Sequence, residues 1–193
     1  CPGDDAPQEV PVRTYSEVYA QDIVEIEEFM NNHYMSVDAN NNVTFTKITA
    51  STPGTPISSH PDLTFKTISK GGVDHKLYFI SLQGGTGNTD TDSDTTNDNP
   101  TRLDSVFTAY KGTSLNKDYV TNEITLNDFD EASTPIWLEL EDLIQGWQEI
   151  YPEFKIGNSV TDFNTGLSTF SGYGAGVVFI PSGLAYFNRS PPS

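Results

Sequence analysis

Three features of the sequence predict an α+β fold. A helical pattern of apolar residues lies near the N-terminus, two segments with period-two alternation follow it, and a short helix start precedes a final apolar strand. With 193 residues, the chain is long enough to bury a sizeable core without disulfide bonds. The sequence therefore suits one domain with an extension.

The first predicted element is a helix from about residue 16 to residue 34. Thr14-Tyr15-Ser16-Glu17 has the spacing of a capping box, which marks a helix N-terminus. Apolar side chains then recur at steps of three and four residues, namely Tyr15, Tyr19, Ile23, Ile26 and Met30. We expect this helix to bury one face and to leave its acidic face in solvent.

Two strands are predicted after this helix. Residues 43–48 and 63–68 alternate between apolar and polar side chains, and a proline- and serine-rich turn region separates them. The helix and these strands make an N-terminal extension that covers residues 14–72.

An acidic insertion is predicted over residues 86–102, where the chain has no apolar residue to bury before Leu103. Asp90, Asp92 and Asp94 alternate as at the start of a calcium loop. Such a loop also has glycine at its sixth position and glutamate at its twelfth, where this chain has Thr95 and Thr101. A solvated insertion is therefore favoured, and calcium binding is the alternative.

The C-terminal part of the chain predicts a small apolar pocket. Residues 143–147 read as the opening turn of a short helix, with Glu141 and Asp142 at its positive N-terminal end. Residues 179–186 read as a buried strand that stops at a proline and ends on a tyrosine. Trp147 and Tyr186 would then supply an apolar floor and a polar wall, and free helix N–H groups would orient a ligand.

The charge of the chain excludes several function classes. The formal net charge is −17 and the isoelectric point is about 4.2. An acidic surface of this kind repels nucleic acid and anionic lipid, and it favours solubility or a basic protein partner. We therefore expect no binding to nucleic acid.

No run of the sequence approaches the roughly 18 apolar residues that a membrane helix needs.

Several cofactor chemistries lack support in the sequence. The three histidines lie in separate segments without a cysteine partner, so a zinc site is not expected. Neither a Gly-x-Ser-x-Gly elbow nor a glycine-rich phosphate loop is present. The sequence predicts no metal and no cofactor.

Cys1 is the only cysteine, and the chain begins with it. Bacterial lipoproteins begin in this way after signal-peptide removal, with the cysteine acylated. Residues 1–13 are polar and proline-rich, as a flexible tether would be. We therefore expect lipidation of Cys1 and attachment to the outer membrane, with the protein facing the periplasm or the cell surface. The alternative is an arbitrary boundary of the chain.

Residues 73–193 resemble the FKBP-type peptidyl-prolyl isomerases. The resemblance rests on motifs that stand in the family's order: residues 77–82, 106–112, 129–132, 135–138, 143–147 and 179–186. It implies an antiparallel sheet wrapped around a short helix, and a final strand that would follow Ser193 and is missing from this sequence. The N-terminal extension is similar to those of FKBP-like lipoproteins of Bacteroidetes.

The resemblance also implies the roles of individual residues. Trp147 would form the floor beneath a substrate proline, and Tyr110 and Phe129 would form aromatic walls. Tyr186 would donate its hydroxyl to a substrate carbonyl, and the Asp130 carboxylate would face the twisted amide. The further substrate-binding residues would be Leu143, Ile144 with its backbone N–H, and Ile136 or Trp137 after Pro135. For each aromatic residue the alternative is an ordinary place in the core.

The function implied by the resemblance is isomerisation of X-Pro bonds in exported or outer-membrane proteins. Its partners would be proline-containing polypeptides, and macrolide-type inhibitors would bind the same pocket. The alternative is a non-catalytic binding subunit of an outer-membrane secretion or gliding assembly, since some FKBP-like lipoproteins of gliding Bacteroidetes are associated with those machines.

Overall fold

The computed structural model describes residues 12–87 and 99–187, and within them the fold is α+β. The elements are α1 (Tyr15–Asn32), β1 (His33–Val37), β2 (Val43–Lys47), β3 (Leu63–Lys70), β4 (Val73–Gly84), β5 (Ser105–Asp118), β6 (Glu123–Glu139), α2 (Gln145–Ile150), β7 (Asn158–Thr161), β8 (Ser168–Ser171) and β9 (Gly174–Phe179). Cys1, the aspartates at 90, 92 and 94, and Ser193 lie outside the described residues, so their predicted roles stay predictions.

All strand pairs of the described chain are antiparallel. They form four sheets, with the orders β1-β2, β3-β4-β9, β5-β6 and β7-β8. The mixed class predicted from the sequence is confirmed. The one sheet that the family resemblance implied is instead divided into four within these residues.

Helix α1 begins with the predicted capping box. The Glu17 N–H donates to Thr14 Oγ1 at 3.2 Å, and the Thr14 N–H donates to the Glu17 carboxylate at 2.8 Å. The buried side chains of α1 are Ile26, Phe29 and Met30. These bonds satisfy donors that a helix N-terminus would otherwise expose, so the local sequence determines where α1 starts.

Helix α1 ends two residues earlier than predicted, because His33 adopts an extended backbone and starts β1. The His33 ring is buried, and its Nδ1–H donates to the Phe29 carbonyl at 3.0 Å. This side chain therefore satisfies a carbonyl at the helix C-terminus. The sequence has no glycine or proline at this position, and β1 was missed for that reason.

The three-stranded sheet joins the predicted extension to the rest of the chain. Strands β3 and β4 form a hairpin whose turn is Gly71-Gly72, both with positive φ. The predicted boundary between residues 72 and 73 falls at this turn, so residues 14–72 and 73–187 share one sheet. Leu77 and Ile80 of β4 are fully buried. Ile80 belongs to a core cluster with residues of α1 and β9, and Leu77 belongs to a second cluster with Ile150 of α2.

Strands β5 and β6 form a long two-stranded ribbon, paired from Ser105↔Glu139 to Asp118↔Glu123. Its turn end contacts the N-terminal elements, since Lys117 forms an ion pair with Glu28 of α1 and Lys47 of β2 lies 2.7 Å from Glu123. The opposite end leads through a 3₁₀ turn, Leu140–Asp142, into α2.

The end of the described chain differs from its prediction. Strand β9 ends at Phe179, and a 3₁₀ turn at Ser182–Leu184 follows Pro181. Tyr186 therefore lies in a turn after this 3₁₀ element and not at the end of a strand. Within the described ranges, neither α-helix is long and apolar enough to cross a membrane.

Replacing Thr14 by alanine is expected to lower the free energy of unfolding by about 1 kcal/mol, because the capping box loses its side-chain acceptor. Chemical denaturation of the variant and the wild type measures the difference. Ser16→Ala, a change at an exposed side chain two residues after Thr14, is the matched control and should alter stability by less than about 0.5 kcal/mol. Equal losses in the two variants would contradict a specific role for the cap.

Candidate aromatic site

A hydrogen bond between neighbouring strands forms the centre of the candidate site. The Tyr110 hydroxyl of β5 donates to the Asp130 carboxylate of β6 at 2.8 Å. Asp130 pairs with Gly112 and Ala132 pairs with Tyr110, so the two side chains are diagonal neighbours on the ribbon. The structure therefore brings together two residues that the sequence assigned to one site.

A β-bulge explains why Phe129 and Asp130, which are adjacent in sequence, both lie at this site. The register shifts between Gly112 and Thr113, and Phe129 has no direct partner on β5. A bulge re-aims side chains that would otherwise point to opposite faces. A Cβ at Gly112 would lie only 2.8 Å from Phe129 Cζ, so the phenyl ring packs directly on the glycine.

Trp147 of α2 packs against Tyr110. Its ring lies edge-on to Tyr110 with centroids 4.8 Å apart, and it also contacts Tyr151 at 5.6 Å. Tyr151 directly follows α2, and its hydroxyl donates to Thr108 Oγ1 at 3.0 Å, which ties the end of α2 to β5. Tyr151 was not among the predicted site residues, although its spacing of four residues from Trp147 on a helix indicates the same face.

Tyr186 completes the aromatic cluster. Its ring lies edge-on to Phe129 at 5.9 Å. The pKa of Tyr186 is raised, first by burial and then by the charge of Asp130. The pKa of Tyr110 is also raised, first by its hydrogen bond to Asp130 and then by burial. Both phenols therefore stay protonated donors at neutral pH.

Helix α1 holds the turn that carries Tyr186. The Ser182 N–H and hydroxyl both donate to Asp22 of α1, at 2.8 and 2.6 Å. Phe187 stacks on Tyr15 with ring centroids 3.9 Å apart. The predicted extension thus helps to position a residue of the candidate site.

The residues before α2 differ from prediction in detail. Helix α2 begins at Gln145, with Ile144 as its N-cap, so Leu143 lies before the helix. Both residues are half-buried. The Ile144 N–H donates no hydrogen bond to any described residue. Gly146 packs closely, since a Cβ there would lie 2.6 Å from Ile180 Cγ2.

The structure separates Ile136 from Trp137. Ile136 pairs with Thr108, which contacts Tyr151, so Ile136 lies on the face of the ribbon that carries the site. Trp137 pairs with Phe107 on the opposite face, because successive residues of a strand alternate. The prediction that Trp137 fills a wall of the pocket is therefore not supported by its position.

A buried carboxylate anchors α2. Glu149 is 5% exposed and lies 3.4 Å from Lys66 of β3 and 2.5 Å from Arg102. Lys66 also donates to the Glu149 carbonyl at 3.1 Å and to Glu153 at 3.0 Å. Two cations thus compensate a charge that would be costly to bury alone.

A cavity of about 360 Å³ lies away from this cluster, beside β1. Its lining consists of Tyr34, Met35, Thr55, Pro56, Ile57, Ser59, His60 and Pro61. No predicted site residue contributes to it. Within residues 12–87 and 99–187, no group of three His, Cys, Asp or Glu side chains could hold a metal ion.

Comparison with known proteins finds no family model, no curated protein and no solved structure that matches the chain. The residues and their geometry therefore carry the functional interpretation.

Replacing both Lys66 and Arg102 by methionine is expected to lower the free energy of unfolding by about 3 kcal/mol, because the Glu149 carboxylate stays buried without a cation. Adding Glu149→Leu should restore much of the loss. Denaturation curves of the double and triple variants test this. The control is Lys111→Met, which removes an exposed ion pair with Asp128 and should cost less than about 1 kcal/mol. A double variant as stable as the wild type would contradict the anchoring role.

Asp130→Asn is expected to lower the pKa of Tyr110 towards its ordinary value. The carboxylate accepts the phenol proton in a hydrogen bond and opposes a second negative charge, whereas an amide lacks that charge. Titration of ¹³C-labelled tyrosines by NMR follows the resonance, which Tyr110→Phe identifies. An unchanged titration midpoint in the asparagine variant would show that the two side chains do not interact in solution.

Proposed function

We propose that the protein is a peptidyl-prolyl cis-trans isomerase. The observation that carries the proposal is the hydrogen bond from Tyr110 to Asp130 beside the ring of Trp147. A half-buried aromatic surface next to a positioned carboxylate suits a proline ring and the amide that precedes it.

Rotation about an X-Pro bond breaks no covalent bond, so it requires no nucleophile and no cofactor. The barrier of about 18–20 kcal/mol arises from the double-bond character of the C–N bond. A twisted amide has lost this resonance, and its nitrogen and carbonyl carbon differ in charge from the planar form. A site that binds the twisted form more tightly than the planar form accelerates exchange, by about tenfold for each 1.4 kcal/mol.

The chemistry of each side chain in the cluster determines its proposed role. The rings of Trp147, Tyr110 and Phe129 supply apolar contact for the proline. The Asp130 carboxylate, oriented by Tyr110, faces the amide carbonyl carbon, and the Tyr186 hydroxyl donates to a carbonyl oxygen of the peptide. Ile136 and Leu143 extend the apolar lining, and the Ile144 N–H, which has no partner among the described residues, donates to a second carbonyl.

We also propose that the protein is FKBP-like and that it is a lipoprotein, as the sequence suggests. The substrates would be proline-containing segments of exported or outer-membrane proteins, reached by a domain tethered through a lipid on Cys1. The second candidate function is a non-catalytic binding subunit of an outer-membrane assembly. It is favoured by the exposed aromatic side chains on the other face of the ribbon, among them Trp137, which is 70% exposed.

The wild-type protein is expected to accelerate cis-trans exchange of a tetrapeptide with one X-Pro bond, measured by NMR exchange spectroscopy. Tyr110→Ala and Phe129→Ala should each lower the acceleration at least about tenfold, because each removes apolar contact with the proline. Phe163→Ala, a change at a side chain that is 99% exposed, is the matched control and should keep full activity. A macrolide inhibitor should compete with the peptide.

Circular dichroism establishes that each variant is folded. Trp147→Ala is unsuitable as a first test, since truncation of a packed indole costs about 3–5 kcal/mol of stability. A folded wild type that leaves the exchange rate unchanged would refute the isomerase. If that protein still bound the tetrapeptide, the binding subunit would be the better explanation.

A further inference from the structure

Three aromatic side chains form an exposed surface on the face of the ribbon that is opposite to the candidate site. Phe107 of β5 and Trp137 of β6 are direct cross-strand partners with ring centroids 5.3 Å apart. Phe170 of β8 contacts Phe107 at 5.0 Å. We call these three residues the aromatic platform.

The aromatic platform contributes little to the core. Trp137 is 70% exposed, Phe170 50% and Phe107 37%. Isolated exposed apolar residues are common, but contiguous aromatic groups on a soluble surface mark interaction sites. Tryptophan in particular is enriched among residues that dominate the binding energy of interfaces. The platform therefore has the composition of a docking surface for another molecule.

Carboxylates at and just after the end of β6 indicate the chemistry of the occupant of the platform. Glu139 lies two residues after Trp137 and hence on the same face of β6. Glu141 and Asp142 follow in the 3₁₀ turn, and Asp104 accepts the Leu140 N–H through its carbonyl. Within the described residues, no salt bridge neutralises any of these four carboxylates.

These four carboxylates, which we call the acidic border, disfavour a second copy of this chain as the occupant. Two molecules that each carry a formal charge of −17 repel one another, whereas lysine and arginine side chains are attracted to the border. Charge complementarity therefore favours a basic partner over a homodimer at this surface.

We propose that the aromatic platform binds a polypeptide segment that has an apolar anchor flanked by lysine or arginine. The anchor packs on Trp137 and Phe107, and the flanking cations lie over Glu139 and the neighbouring carboxylates. Because this face is opposite to Tyr110 and Asp130, the proposal does not depend on isomerase activity. A partner can occupy the platform while the candidate site is free.

The probe is an acetylated and amidated peptide with a Leu-Phe-Leu core and two lysines on each side. The peptide contains no proline, so it is not a substrate for the proposed isomerase site. It contains no tryptophan, so the tryptophan fluorescence of the protein reports binding. Calorimetry gives a second measurement of binding. We expect saturable binding that weakens as salt rises. The matched peptide with glutamates in place of the lysines should not bind.

Variants locate the binding surface. Trp137→Ala should raise the dissociation constant at least about tenfold, and Phe170→Ala should also raise it. The triple change Glu139→Gln, Glu141→Gln and Asp142→Asn should weaken binding and reduce its salt dependence. Phe163→Ala, at an exposed side chain of the same β7–β8 hairpin, should bind as the wild type does.

Three results would overturn the proposal. The first is the absence of saturable binding, or binding that Trp137→Ala leaves unchanged. The second is a dimer in sedimentation velocity that Trp137→Ala abolishes, which would assign the platform to a second copy. The third is failure of the basic peptide together with Trp137-dependent binding of chitohexaose, which would assign the platform to glycans.

Discussion

The arrangement of the candidate site depends on the β-bulge opposite Gly112. In a regular strand Phe129 and Asp130 would point to opposite faces of the ribbon. The bulge lets the phenyl ring reach Tyr186 while the carboxylate accepts the Tyr110 hydroxyl. Glycine at position 112 leaves room for this packing, because a Cβ there would lie 2.8 Å from Phe129 Cζ and would force the phenyl ring to shift. One local irregularity of pairing thus brings an apolar wall and a charge to the same place.

The same ribbon has a second irregularity with a different effect. Residues 133–135 of β6 lie opposite the single residue Ala109, and Pro135, which lacks an N–H for pairing, falls within them. Regular pairing resumes at Ile136, whose partner Thr108 accepts the hydrogen bond from Tyr151. Trp137, the next residue, therefore points to the opposite face. The two faces of one hairpin therefore carry different chemistry: half-buried rings with the Asp130 carboxylate on one, and exposed rings with Glu139 on the other.

Local signals in the sequence predicted the elements better than their ends. The capping box at Thr14 and the alternation in β2 and β3 are local, and the structure confirms them. Tyr110, Phe129, Asp130, Trp147 and Tyr186 were assigned to one site, and their contacts bring them together. The outward direction of Trp137 was missed because residues 123–139 were not predicted as one strand, since alternation from Asp130 along that strand places Ile136 on the face of the site and Trp137 on the other. Strand β1 was missed because His33 ends α1 with a side-chain bond that no simple pattern encodes.

The contacts between Asp22 and Ser182 join residues that are 160 positions apart in the chain. Closing so long a loop costs more conformational entropy than forming the hairpins, whose strands are neighbours in sequence. The hairpins are therefore expected to form first, and the turn that carries Tyr186 is expected to dock on α1 late in folding. During biosynthesis, a chain that has emerged from the ribosome only as far as α2 would have Tyr110, Phe129 and Asp130 in place without Tyr186.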